Sequence, residues 1–170
     1  MMAGSRSSVV VLGVLLAGAG GCVVPIGPEW SDPQKQYPPT IPSANPPIGS
    51  VVDAESGSAP VFEVVVEDQN TQDQLYLRWL IDYPPYQDGL TRIYEAPTLP
   101  PSGSARRPSV LFAPSCNDDS IAKGFPNHRL LLAVSDRPFV SDAHSGVSLD
   151  VPSAGGAVVE AAWQFTMTCP

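Results

Sequence analysis

The chain has 170 residues, with nine basic against seventeen acidic side chains and a formal net charge of −8. This excess of acid repels phosphate backbones and argues against a nucleic acid partner. The length allows one domain with its own core after any leader, and not two.

The leader comes first. A lone Arg6, an apolar run from Val9 to Leu16 and the small residues Ala17-Gly18-Ala19-Gly20-Gly21 lead into Cys22. These are the three parts of a secretory signal. A spanning helix needs about 20 apolar residues, and this run is shorter and broken by glycines that weaken any helix.

Small residues immediately before a cysteine resemble the lipobox of bacterial lipoproteins, although Ala19 stands where lipoboxes usually carry Leu. The resemblance implies a signal peptide over residues 1–21, cleavage before Cys22 and a diacylglycerol on its thiol. Two or more palmitate-type chains make attachment stable where one alone is marginal, so the expected partner at this end is a membrane, reached through the lipid anchor. Val23 rather than Asp follows the cysteine; this resembles lipoproteins sent to the outer membrane of the cell envelope. A soluble secreted form is the alternative.

Residues 22–50 then read as a linker. Pro25, Pro28, Pro38-Pro39, Pro42 and Pro46-Pro47 remove donors and fix the backbone, which predicts a disordered stalk with neither helix nor sheet ladder. Fully extended as polyproline II at about 3.1 Å per residue it reaches roughly 85 Å. Trp30 and Tyr37 are unusual in a stalk, and could pack back on the domain.

From Val51 to Pro170 period-two alternation dominates. Phe62, Val64 and Val66 share one face, and after the turn-forming Asp68–Asp73 come Leu75, Leu77, Trp79, Ile81 and Tyr83 in phase. A third strand runs from His128 to Ser135 with Leu130, Leu132 and Val134 inward; a last one carries Val159, Ala161, Trp163, Phe165 and Met167. Shorter candidates are Leu90–Tyr94, Ser109–Phe112 and Gly146–Val151, with a leading edge piece near Val51. Prolines fall between these runs, and no window has a persuasive helical period. The predicted fold class is all-β, a single antiparallel sandwich over residues 51–170.

Leu75-Tyr76-Leu77-Arg78-Trp79, following a hydrophobic strand and its turn, resembles the second and third strands of an immunoglobulin-like domain with Trp79 as its core tryptophan. No cysteine precedes Trp79 in the earlier strand, so the bridge usual in antibody domains is absent. With Cys22 assigned to lipid, Cys116 and Cys169 remain as an even pair, expected to be a disulfide in an oxidising compartment.

Chemistry-bearing motifs are sparse. No C-x-x-C, H-E-x-x-H or phosphate loop is present; His144 sits in a polar turn beside Ser141 and Asp142, and His128 opens a strand as an edge or packing residue. No catalytic residue, cofactor site or metal site is expected. Asp68–Asp73 and Asn117–Ser120 offer oxygens but lack the twelve-residue calcium loop. Arg106-Arg107 reads as solvated surface. Tyr83, Tyr86 and Tyr94 around Pro84-Pro85 are the candidate partner-binding residues, or else cap the end of the sandwich. The expected function is non-enzymatic: a lipid-anchored structural or adaptor subunit that binds an envelope protein, with a solute- or glycan-binding module as the alternative.

Overall fold

A computed structural model describes residues 36–54, 59–84, 91–116, 121, 125–140, 149–153 and 155–167. Among them are eight strands: β1 (Thr40–Asn45), β2 (Val51–Asp53), β3 (Phe62–Glu67), β4 (Tyr76–Ile81), β5 (Arg92–Glu95), β6 (Val110–Phe112), β7 (Asn127–Ser135) and β8 (Val158–Thr166). They form a three-stranded sheet in the order β1-β3-β6 and a five-stranded sheet in the order β2-β8-β7-β4-β5. The fold is all-β, as the alternation predicts.

The two sheets face each other across one core. Phe62, Val64 and Val66 of β3 meet Leu77, Trp79 and Ile81 of β4, Leu130, Leu132 and Val134 of β7, and Ala161, Trp163 and Phe165 of β8. Trp79 stacks on Phe112 with ring centroids 4.8 Å apart, and Phe62 tilts against Trp163 at 5.4 Å. Each such side chain, fully buried, stabilises by about 1.5–3 kcal/mol. Successive strands β3 and β4 lie in opposite sheets, so the turn between them crosses the sandwich.

Two features differ from the sequence reading. Thr40–Asn45 belongs to the sandwich although it falls in the expected stalk: β1 pairs antiparallel with β3, with a register irregularity between Thr40 and Ser43. Pro42 sits in that irregularity on an edge strand, where a missing donor breaks no ladder. The stretch after β1 is also tied down, since Trp163 Nε1 donates to Pro46 O at 2.9 Å and Gly49 N to Ala162 O at 2.8 Å. The larger sheet, second, is mixed rather than antiparallel, because β2 runs parallel to β8.

The larger sheet is also partly covered on its outer face. Leu80, Tyr83, Leu131 and Leu149 form a second buried cluster there, with Ala162 against it. Leu149 comes from the β7–β8 connection, where the sequence predicts a strand over Gly146–Val151; Leu149 and Asp150 form a turn, and residues 141–148 lie outside the described residues.

Candidate functional site

A hollow among the described residues lies on the outer face of the larger sheet, at the end of β4. Asp82 follows β4 with φ +57°, an uncommon conformation that Asp tolerates better than most residues. That turn brings both carboxylate oxygens onto β7. Oδ1 accepts Arg129 N at 3.1 Å, and Oδ2 accepts from His128 Nδ1 at 2.9 Å. The backbone adds a third tie, Asp82 N donating to Arg129 O at 2.8 Å. The His128 ring is sealed from solvent and packs on Phe165 with centroids 5.2 Å apart.

An Asp–His pair invites comparison with a hydrolytic triad. With Nδ1 donating to Asp82 Oδ2, Nε2 is the ring nitrogen that would face a nucleophile. Nε2 is buried and meets no hydroxyl or thiol. The pair therefore shapes the sheet end, and among the described residues no hydroxyl or thiol bonds to its Nε2. His128 is the packing residue of the sequence reading, on a central strand rather than an edge.

Beside this pair, Val51, Asp82, Asn127, His128, Arg129, Gln164, Phe165 and Thr166 line a hollow of about 380 Å³. A smaller recess of about 160 Å³ adjoins it, lined by Gly49, Arg129, Ala162, Trp163 and Gln164. Arg129 and Gln164, directly opposite each other in the β7–β8 register, belong to both.

Across the same face the β7–β8 connection is clamped down by a buried cation. Arg78 donates through Nη1 to Leu149 O at 2.7 Å and Val140 O at 3.1 Å, and through Nε to Glu95 at 2.6 Å. Its guanidinium also lies 4.8 Å from the Phe139 ring centre. Tyr83 completes the clamp, its hydroxyl donating to Asp150 Oδ1 at 3.0 Å and accepting from Leu149 N at 3.1 Å. Nearby Glu160 shares a proton with Asp150; burial first, and then Asp150, push its carboxyl up to about 7, with Arg129 pulling it back.

These positions revise the candidate residues. Tyr83 is 4% exposed and serves the clamp, because the turn at Asp82 breaks the alternation and sends it to the outer cluster. Tyr94 is half-buried against Phe112, with centroids 5.4 Å apart. Tyr83 thus packs beneath the β7–β8 connection, while Tyr94 keeps part of its ring at the surface. Tyr86, Cys22, Cys169 and His144 lie outside the described residues, and Cys116 is half-buried.

Arg107 is likewise not solvated surface. Its side chain is fully buried and donates to Pro100 O, Ser102 Oγ, Asn70 O and Asp73 O, with Asp68 3.9 Å away. Burial raises the Asp68 carboxyl, against the pull of Asn70 N–H and Arg107. This is loop stapling at the far end of β3, and among the described residues no group of three His, Cys, Asp or Glu side chains is placed to hold a metal ion.

No family model matches the chain, and comparison with curated proteins and with solved structures returns no match.

Proposed function

We propose that this protein is a lipid-anchored, non-enzymatic component of the bacterial cell envelope, presenting one immunoglobulin-like sandwich to a protein partner. The anchor reading rests on the sequence around Cys22, and Val23 favours the outer membrane. The immunoglobulin-like reading draws support from strand order: β1-β3-β6 follows that of strands A, B and E, and β4-β7-β8 that of C, F and G, with Trp79 on the C-type strand.

One observation carries the partner reading. The three-stranded sheet ends at β6, and on its outer face Leu111 of β6 and Val61 before β3 are 65% and 55% exposed. An edge unpaired among the described residues, beside exposed apolar side chains, favours strand addition or face-on contact with another chain. The test is co-purification of the full-length protein from native membranes after mild crosslinking, with mass spectrometry of bait and captured proteins. A stoichiometric envelope partner with an acylated Cys22 supports the proposal. An acylated bait without a specific partner shifts the function to the second reading, a solute- or glycan-binding module, which the polar hollow around Arg129 favours.

A further inference from the structure

The paired recesses on either side of Arg129 and Gln164 have a floor of a particular kind. It is formed by β7 and β8, whose ladder is continuous from Asn127↔Thr166 to Ser135↔Val158 and whose outer neighbours are β4 and β2. The main-chain groups there are occupied by the sheet, so an extended peptide finds no free backbone to add to. Recognition must run through side chains.

The side chains available are Asn127, Arg129 and Gln164, while Thr166 Oγ1 already donates to Asp53 Oδ1 at 3.1 Å. Amides carry a donor and an acceptor on one planar group, the combination that vicinal hydroxyls require. An exposed aromatic precedes Asn127 by two residues. This is Phe125, 56% exposed, and Met167 N donates to Pro126 O between it and Asn127. Arg129 is the cation of the lining; its charge also acts on Glu160, and Asp82 is already occupied through both oxygens by His128 and the Arg129 backbone. Apolar ring faces beside converging polar groups are the pattern of ligand sites, and the larger hollow has the volume of one.

We propose that the two recesses form one groove for an acidic saccharide, with sugar hydroxyls on Asn127 and Gln164, a ring face against Phe125, and the carboxylate of a uronic-type residue on the Arg129 guanidinium. The chain's overall acidity does not forbid this, because long-range repulsion is screened beyond about 8 Å at physiological ionic strength while the guanidinium–carboxylate contact is direct. The proposal rests on the second functional reading, that of a glycan-binding module.

The test is calorimetric titration of the full-length protein with a galacturonic acid trimer and a neutral galactose trimer, repeated on Arg129→Gln and Gln164→Ala. The acidic trimer is expected to bind about tenfold more tightly than the neutral one, and Arg129→Gln to bring the ratio to about one. Both variants should melt as the parent does, because Arg129 and Gln164 are exposed and hold the sheet through their backbones. Gln164→Ala should weaken both ligands together. Equal binding of the two trimers by the parent overturns the acidic-saccharide proposal and leaves the glycan reading standing; binding of neither overturns both. A preference for the acidic trimer that survives in Arg129→Gln overturns the assignment to this groove.

Discussion

Asp82 holds a side chain and the neighbouring strand at once, its Oδ2 2.9 Å from His128 Nδ1 and its Oδ1 3.1 Å from Arg129 N. It does so from a left-handed backbone, with φ +57°. Replacement by Ala strands the buried imidazole and the amide, and also puts an unsuited residue at positive φ. Bonds to a charged group contribute about 1.5–3 kcal/mol, so Asp82→Ala should lose about 3 kcal/mol in urea unfolding. Asp82→Asn tolerates the backbone and keeps an acceptor, and should lose about 1 kcal/mol. Equal losses for the two variants would contradict this account of the turn.

The core tryptophans should separate by their indole nitrogens. Trp163 Nε1 donates to Pro46 O, whereas Trp79 Nε1 is buried without a partner. Both Phe variants lose ring area, but only Trp163→Phe also leaves a carbonyl unpaired. It should be the less stable by about 1 kcal/mol, with faster amide exchange at Gly49 and Ser50. Matched stabilities and unchanged exchange would detach the segment after β1 from the sandwich.

These residues also mark how far the sequence could be read. The inward faces of β3, β4, β7 and β8 follow alternation alone, and the core residues it picks out, from Phe62 to Phe165, are those that meet between the sheets. Thr40–Asn45 escapes because proline density predicts a stalk, and only pairing along one edge of β3 shows that Pro42 costs no ladder bond. Arg107 reads as surface because a charged doublet in a loop ordinarily is; its burial depends on four oxygens that come together only in the folded chain. Tyr83 is misplaced for a more local reason, the positive φ at Asp82, which no periodicity encodes. The groove around Arg129 has no sequence motif, since Asn127 and Arg129 lie far along the chain from Gln164 and Thr166 and meet them only through the β7–β8 register.

The Glu160–Asp150 pair gives stability a pH dependence of known sign. The Glu160 carboxyl is raised from 4.5 to about 7 by burial and by Asp150, so the fold favours its protonated form. Its contribution is complete below about pH 4.5 and is lost as pH rises through 7. Glu160→Gln keeps the neutral state at every pH. The melting temperature of the variant relative to the parent should therefore increase from pH 5 to pH 8, and a difference that does not change with pH would contradict the pairing.

The proposed Cys116–Cys169 bridge is checked by thiol counting. In the acylated protein, denatured without reductant, an alkylating reagent should label no cysteine, and after reduction it should label two. A bridge closing a loop of some 50 residues contributes roughly 4 kcal/mol in the chain-entropy model, so reduction should lower the urea midpoint. Two thiols labelled before reduction would contradict the bridge.

The outer face of the three-stranded sheet, at its β6 edge, is the surface on which the adaptor reading stands. A photo-crosslinking amino acid placed at Leu111 in the full-length protein, in intact cells at its natural level, tests it most directly, with Glu95 on the β5 edge of the other sheet as the comparison position. The account predicts a single discrete adduct from position 111, none from position 95, and loss of that partner from the parent sequence when Leu111 is changed to Glu. Equal, diffuse adducts from both positions, or none from either, would contradict it.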